Sequence, residues 1–216
     1  AATRRVLEMG GADVAALWAA SGLGKTAARA LADVTASLAL DDFETSNIVE
    51  RNVLALLPGS DPLLKNEVVI IGSHFDHIGA DQQPGGSWVI YPGADDNASG
   101  TAVIVEVARV LAKLQRPPSR TILFVSFSGE ERDMLGSRLY TTRPAAPLPL
   151  TKAMINIDHA GVGSGRLTVG VTGIEKDIAL EAGQSAGLKE KLDLYGFFPG
   201  GDHVPFKEAG VPTITI

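Results

Sequence analysis

Apolar and polar residues alternate along most of the chain with two different periods. Residues 68–71 and Thr121–Phe127 are continuous runs of β-branched and aromatic residues, a pattern typical of strands covered on both faces. Between them, apolar residues recur at helical spacing over residues 99–114, which predicts a helix that packs on one face. Short apolar runs predict further strands at residues 153–157, 167–171 and 212–216. Helical spacing of apolar residues predicts further helices at residues 135–142 and 174–186.

Strands that alternate with helices predict an α/β fold with a largely parallel sheet and helices on both faces. Near the start of this pattern, residues 48–57 are mostly apolar and end at residues 58–62, a cluster of turn-forming Pro, Gly, Ser and Asp. We therefore expect residues 48–57 and the next strand, residues 67–72, to form a hairpin that enters the sheet.

The first part of the chain differs from the rest. Residues 1–45 are rich in Ala and Leu and predict short helices that precede a domain covering residues 46–216. Residues 19–26 fit a relaxed phosphate-loop pattern that ends in Lys25 and Thr26. That motif requires a buried strand running directly into the loop, but the residues before it predict a helix. A nucleoside triphosphatase is therefore a remote alternative.

Composition and charge narrow the possible partners. The 216 residues include 19 Lys and Arg against 25 Asp and Glu, a net charge of −6, and no block of basic residues. This argues against nucleic acid or an anionic membrane surface as the main partner. Hydrophobic residues make up 45% of the chain, enough for a folded core, yet no apolar run reaches the roughly 18 residues that span a bilayer. Because the chain contains no cysteine, a bound metal would be held by His, Asp and Glu.

Candidate chemistry lies where the predicted strands end. The polar residues there are His74 and Asp76, Glu130 and Glu131, Asp158, and Asp202 and His203, with Asp95 and Asp96 at the start of the long helix. Sites in open α/β sheets form at the carboxyl ends of strands, so we expect these side chains to converge. Crowded carboxylates repel one another unless cations neutralise them, and the cluster therefore predicts a metal site. Each motif alone is also explained by an ordinary surface histidine or helix start, so the prediction depends on their joint occurrence.

Five blocks of sequence occur together in this chain. They are His74-Phe75-Asp76-His77-Ile78-Gly79, residues 93–100, Ser128-Gly129-Glu130-Glu131, Asn156-Ile157-Asp158, and Gly201-Asp202-His203 with Phe206 behind it. In this order they resemble the co-catalytic di-zinc exopeptidases, the family of bacterial secreted aminopeptidases, glutamate carboxypeptidases and glutaminyl cyclases. The turn at residues 57–62 is most similar to the aminopeptidase branch. The resemblance implies a three-layer α/β sandwich with a mixed, mainly parallel central sheet.

The resemblance also implies a set of metal ligands. His74 and Asp158 would bind one zinc ion, and Glu131 and His203 would bind a second. Asp96 would bridge both ions, and its peptide bond to the next residue would be cis. Mn²⁺ or Co²⁺ could substitute for zinc. Two such ions can share a water molecule, lower its pKa and polarise a scissile carbonyl.

The resemblance assigns roles to two further residues. It implies that Glu130 is the general base that takes a proton from the metal-bridging water, and that Asp76 orients His74. His77 and His159 lie beside these positions, but the family does not use them, so we set both aside.

The implied function is a secreted or periplasmic aminopeptidase that hydrolyses the N-terminal residue of peptides with a free N-terminus. Two alternatives on the same fold stay open, a catalytically silent binding module and a glutaminyl cyclase. The resemblance further implies that residues 1–45 are the remnant of an inserted or lid domain. It also leads us to expect that the catalytic domain continues beyond Ile216 with a loop and a helix that close the site.

Overall fold

The computed structural model describes residues 8, 11, 13–22, 35 and 49–216. The chain divides into two units, residues 1–48 and 49–216. In the first unit, helix α1 (Val14–Gly22) begins after Asp13, whose Oδ1 atom accepts the amide hydrogen of Ala16 at 3.0 Å. A short acidic side chain thus caps the start of this helix.

The phosphate-loop pattern at residues 19–26 is preceded by helix α1 and not by a strand. Lys25 and Thr26 lie outside the described residues, as does most of the segment 1–45 that we expect to be helical. The residues leading into the pattern thus do not adopt the strand that a nucleotide-binding loop requires. The origin of this segment as a lid-domain remnant stays a prediction.

The second unit contains the sheet. In chain order its strands are β1 (Val53–Leu57), β2 (Val68–His74), β3 (Gly79–Gln82), β4 (Trp88–Tyr91), β5 (Thr121–Phe127), β6 (Thr151–Asn156), β7 (Leu167–Thr172), β8 (Leu192–Tyr195) and β9 (Thr213–Thr215). Its helices are α2 (Gly100–Leu111), α3 (Leu135–Thr142), α4 (Asp177–Ser185) and α5 (His203–Glu208). Seven strands form one sheet in the order β1-β5-β2-β6-β9-β7-β8, and β3 pairs with β4 in a separate hairpin. The large sheet is mixed but mainly parallel, with β1 and β7 antiparallel to β5 and β9.

Successive strand residues point to opposite sides of this sheet, and apolar residues on both sides are covered by helices. On one face, Ile70 packs with Tyr140 of α3 and Phe206 of α5. On the other face, Ile71 packs with Ile104 of α2. Phe206 is fully buried, and burial of such a side chain contributes roughly 1.5–3 kcal/mol. The three-layer α/β sandwich expected from the sequence is confirmed.

The hairpin expected between β1 and β2 is wrong, because β5 lies between them. Strand β1 pairs antiparallel with β5, and its Val53 and Leu56 are each 61% exposed, as suits an edge strand with a single partner. The turn at residues 58–62 packs against the start of β5, where the Ser60 amide donates to the carbonyl of Pro118 at 2.9 Å. Strand β5, by contrast, is buried and pairs with β1 on one side and β2 on the other.

Three elements were not expected from the sequence: the β3–β4 hairpin, strand β8 and helix α5. The first two are short, with four residues in each strand, and α5 has six residues. Periodicity is a weak signal over so few positions. Among the helices of the described residues, none is long and apolar enough to cross a membrane.

Candidate metal centre and active site

The topology places three functional segments next to one another. Strands β5, β2 and β6 are neighbours and run parallel, so their carboxyl ends lie at the same edge of the sheet. His74 is the last residue of β2, Glu130 follows the end of β5, and Asp158 follows the end of β6. The convergence expected from the order of the motifs along the chain is therefore present.

His74 lies at the centre of this edge and is 1% exposed. Its Nε2 atom is 3.2 Å from Oδ1 of Asp96 and 3.3 Å from Oδ1 of Asp158, so three possible ligand atoms converge. Its Nδ1 atom is 3.0 Å from the backbone carbonyl oxygen of Asp76, to which it can donate a hydrogen bond. That contact favours the tautomer that leaves Nε2 free for a metal.

The electrostatic environment of His74 favours a cation. Burial alone would lower the pKa of His74, but the carboxylates of Asp158, Glu130 and Asp202 raise it to about 9. A proton or a metal ion would each satisfy this excess negative charge, and metal binding would displace the proton. The donor set of one imidazole and two carboxylates is one that zinc accepts.

Asp96 reaches the site from an irregular turn, Ala94–Ser99, that leads into α2. The next side chain, Asn97, is buried and donates to the carbonyl of Ile157 at 3.0 Å, while its Oδ1 accepts the amide hydrogen of Gly100 at 2.9 Å. Asn97 therefore joins the Asp96 turn to the strand end that carries Asp158. The Asp96–Asn97 peptide bond is cis, as the resemblance implies.

Asp76 contacts the neighbouring loop in addition to His74. Its Oδ1 and Oδ2 atoms accept the backbone amide hydrogens of Glu130 at 3.2 Å and Glu131 at 3.4 Å. Its contact with the His74 ring is made by the backbone carbonyl, since the carboxylate is 3.8 Å from Nδ1. The carboxylate of Asp76 thus holds the segment that carries Glu130, and its role in orienting His74 stays a prediction.

A second group of possible ligands consists of His77, Asp96 and Glu131. The Nδ1 atom of His77 is 2.6 Å from Oε1 of Glu131 and 3.7 Å from Oδ2 of Asp96. Nδ1 and Oε1 are both buried, and neither has a hydrogen-bond partner of acceptable geometry within the described part of the chain. Polar atoms that converge without a hydrogen bond are what a cation between them would satisfy.

The ligand role of His203 stays a prediction. Its Nε2 atom lies 2.9 Å from the backbone carbonyl of Phe198, and it belongs to neither of the two groups found among residues 49–216. His203 opens helix α5, where its imidazole is buried against the preceding loop, and its Nδ1 atom has no hydrogen-bond partner among the described residues. Its pKa is lowered by burial. In the structure, His77 takes the place beside Glu131 that we expected His203 to take.

His159 is a further imidazole at the site. Its Nε2 atom lies 3.2 Å from Oδ2 of Asp96 and 3.4 Å from Oδ1 of Asp158. The residue has a φ of 60°, which is uncommon for a residue other than glycine. His159 is 57% exposed and forms part of the wall of the adjoining cavity.

Glu130 lies beside these groups without belonging to either. Its Oε2 atom is 4.0 Å from Nε2 of His74. Burial raises the pKa of the Glu130 carboxyl, and the neighbouring Asp158, Glu131 and Asp96 raise it further, although His74 acts in the opposite direction. A carboxyl whose pKa is raised towards neutrality is suited to accept and return a proton.

A cavity of about 560 Å³ opens next to Glu130, Asp96 and Asp158. Its apolar walls include Val162, Leu167, Phe198, Pro199 and Ile216, with Ser164 and Thr168 among its polar residues. Arg166 also lines it, but its guanidinium is paired with both carboxylate oxygens of Asp193 at 2.6 and 2.7 Å. The cavity is therefore mainly apolar away from the carboxylates.

The chain belongs to peptidase family M28, whose model matches residues 52–216. The resemblance drawn from the five sequence blocks is thereby confirmed at the level of the family. Aminopeptidase YwaD of Bacillus subtilis is 29% identical over 182 residues, which are 82% of this chain and 37% of that protein.

Solved structures give the same fold. BSAP, a zinc aminopeptidase from Bacillus subtilis, is 28% identical with a TM-score of 0.59 over 76% of this chain and 39% of that one. A glutaminyl cyclase from an Acidobacteriales bacterium shares the fold at 22% identity and a TM-score of 0.61, over 76% of this chain and 57% of the other. The chain thus spans less than two fifths of the length of these aminopeptidase relatives.

Several residues that build the site were not found by sequence reasoning. The resemblance gives no role to His77, yet in the structure its imidazole lies beside Glu131 and Asp96. Asn97 was noted only as part of a motif, and its buried hydrogen bonds depend on packing across 60 residues of sequence. No periodicity signal could have identified them.

Proposed function

We propose that this chain is the catalytic part of a zinc-dependent aminopeptidase that hydrolyses the N-terminal residue of peptides. The observation that carries the proposal is the position of Glu130 at the junction of the His74, Asp96 and Asp158 group with an apolar cavity. Membership of family M28 and the similarity to zinc aminopeptidases support it.

Two zinc ions are proposed, with Mn²⁺ or Co²⁺ as possible substitutes. His74, Asp96 and Asp158 would hold one ion, and Asp96, Glu131 and His77 would hold the other. When bound, zinc supplies Lewis-acid activation of the scissile carbonyl and of the attacking water. Both donor sets consist of imidazole nitrogen and carboxylate oxygen, which fit zinc in an active site with open positions.

Glu130 would transfer a proton from the attacking water to the leaving amine. Its carboxylate is partly buried and surrounded by acidic side chains, so the proton it takes from water is held until the leaving amine accepts it. Asp76 contributes by fixing the Glu130 backbone amide, which sets where the carboxylate can reach. Hydrolysis then needs no covalent intermediate with the protein.

The same geometry suggests how the N-terminal end of a peptide would bind. The α-ammonium of a peptide would be attracted by Glu130, Asp96 and Asp158, while the side chain of the N-terminal residue would enter the apolar cavity. Because Arg166 is already paired with Asp193, the cavity is not expected to select an acidic side chain. We therefore propose a preference for uncharged, apolar N-terminal residues.

Paired peptides test this proposal. The zinc-loaded chain should release leucine from a peptide that begins with Leu, and should leave the N-acetylated form of that peptide uncut, as mass spectrometry of the products will show. Cleavage of both peptides at an internal bond would contradict aminopeptidase action.

The same experiment separates the alternatives on this fold. A peptide that begins with Gln would lose ammonia without losing a residue if the chain were a glutaminyl cyclase. No change in any peptide, with zinc bound, would indicate a catalytically silent binding module. Export from the cytoplasm stays a prediction from the resemblance to secreted aminopeptidases.

A further inference from the structure

The segment at residues 128–136, which carries Glu130 and Glu131, has an unusual backbone. Asp133 and Met134 have φ values of 64° and 57°, and Gly129 has a φ of 74°. Consecutive residues other than glycine in this left-handed region are uncommon and strained. Such a conformation persists only where the surroundings determine it, so the segment must be held by contacts outside itself.

One anchor is Asp76, on the side of the metal centre, through its bonds to the amides of Glu130 and Glu131. The second anchor is Asn52, which directly precedes β1. The Oδ1 atom of Asn52 accepts the amide hydrogen of Ser128 at 3.1 Å, and its Nδ2 atom donates to the carbonyl of Gly136 at 2.8 Å. A single side chain thus joins both ends of the strained segment.

The space around this contact is tightly filled. A Cβ atom at Gly136 would overlap Oδ1 of Asn52 and the carbonyl oxygen of Ser128, so only glycine fits at that end. Glu50 adds a second contact from the same side, because its Oε2 accepts the hydroxyl hydrogen of Ser128 at 2.5 Å. Neither Asn52 nor Glu50 lines the cavity or belongs to either group of possible ligands.

The antiparallel pairing of β1 with β5 explains how Asn52 reaches this position. Val53 is paired with Ser126, so the residue before β1 lies beside the residues that follow β5. Asn52 and Ser128 are 76 positions apart in the sequence, and the edge strand brings them together. This gives the exposed strand β1 a role at the site.

We propose that Asn52 is a positioning residue for Glu130, which holds the segment 128–136 in the conformation that presents Glu130 to the metal centre. The inference rests on the proposed function, because Glu130 is taken there as the general base. An amide suits the task because it accepts at one end of the segment and donates at the other. Aspartate could only accept, and alanine could do neither.

Three variants of the full 216-residue chain test the proposal. Asn52→Ala removes both contacts, and Asn52→Asp keeps the acceptor for the Ser128 amide. Leu57→Ala is the matched control, because it weakens the packing of the same strand at its other end, where Leu57 pairs with Ile122. Each is measured for kcat, KM, zinc content and hydrogen exchange of the amides in residues 128–136.

In Asn52→Ala we expect kcat to fall about 10- to 100-fold with KM changed less than about twofold, the scale seen when a residue supporting a metal site is lost. Exchange at Ser128 should become at least about tenfold faster, because its amide loses its acceptor. Asn52→Asp should recover the protection of Ser128 and part of kcat. Leu57→Ala should lower stability and leave kcat and the exchange of the segment unchanged.

Unchanged kcat in Asn52→Ala, or an equal loss in Leu57→Ala, would overturn the proposal. Unchanged exchange of the Ser128 amide in Asn52→Ala would overturn it as well. Failure of the proposed function looks different, because the zinc-loaded wild-type chain would then release no leucine from the leucyl peptide.

Discussion

The Oδ1 atom of Asp76 accepts the backbone amide hydrogen of Glu130 at 3.2 Å, across 54 positions of sequence. The backbone carbonyl of the same Asp76 lies 3.0 Å from Nδ1 of His74. One residue therefore connects the most buried imidazole of the metal centre to the backbone of the proposed general base. Displacement of Asp76 should disturb both groups together.

Substitution of Asp76 is expected to lower catalytic rate more than substrate binding. Asp76→Asn keeps one of the two carboxylate acceptors and should lower kcat about tenfold, while Asp76→Ala removes both and should lower kcat about 100-fold. Steady-state kinetics on a leucyl chromogenic substrate will measure this. Equal kcat in wild type and Asp76→Ala would show that the Glu130 segment does not depend on Asp76.

The four histidines of the chain can be tested as a complete set. His74→Ala and His77→Ala should each reduce bound zinc by about one ion per chain, because each removes the imidazole of one group of possible ligands. His159→Ala and His203→Ala should retain both ions. Metal analysis after dialysis will measure the zinc content, with circular dichroism to confirm that each variant is folded.

The outcome of that scan also decides between two assignments of the second ion. Loss of one ion in His203→Ala, with both ions retained in His77→Ala, would restore the ligand set implied by the sequence blocks. It would contradict the placement of His77 beside Glu131 at 2.6 Å.

Gly100 is expected to be essential for stability. A Cβ atom at Gly100 would overlap Oδ1 of Asn97 and lie 2.5 Å from the carbonyl of Ile157, the two groups that join the Asp96 turn to the Asp158 strand end. Gly100→Ala should therefore lower the free energy of unfolding by about 1–3 kcal/mol. Urea denaturation will measure it, with Gly196→Ala as control, because a Cβ there meets no atom within 4 Å. Equal stability of the two variants would contradict the packing described.

Asp202 predicts a pH dependence of the metal-free chain. The residue is fully buried, Ser137 donates to its Oδ1 at 2.6 Å, and burial raises its pKa to about 7. The unfolded chain loses this proton near pH 3.9, so the folded state holds more protons between about pH 4 and pH 7. The contribution of Asp202 to stability is thus complete below about pH 4 and is lost as the pH rises through 7, by up to about 4 kcal/mol.

The measurement compares wild type with Asp202→Asn, which cannot ionise and keeps an oxygen acceptor for Ser137. The variant should gain stability relative to wild type when the pH is raised from about 4 to about 7.5, as followed by urea unfolding with a chelator present. The difference between wild type and Leu57→Ala, a substitution that changes no ionisable group, should show no such change. A constant difference between wild type and Asp202→Asn across this range would contradict a protonated Asp202.

Much of the fold follows from local sequence patterns. The sequence predicts the strand Thr121–Phe127 with the same bounds that the structure gives, because six of its seven residues are apolar or β-branched and such a run has a strong signal. The meeting of His74 and Asp158 is also predictable, because parallel neighbouring strands end at one edge. The partner of β1 is not, since its five apolar residues do not identify the strand it pairs with.

The details of the site needed the three-dimensional structure. The resemblance implies His203 as a ligand and sets His77 aside, whereas the direction in which each imidazole turns depends on packing that the sequence does not show. The hydrogen bonds of Asn52 to Ser128 and Gly136 join residues more than 70 positions apart and leave no periodic trace. Such contacts depend on how the layers pack.

The role of Glu130 is tested most directly by the rate at which zinc-loaded Glu130→Gln releases leucine from a leucyl peptide, relative to wild type. Glutamine has nearly the shape of glutamate but cannot take a proton from water. If Glu130 is the general base, wild type cleaves the peptide, and kcat of the variant falls by about 10²- to 10⁴-fold while its zinc content is unchanged. A variant that cleaves the peptide as fast as wild type would contradict the proposed function.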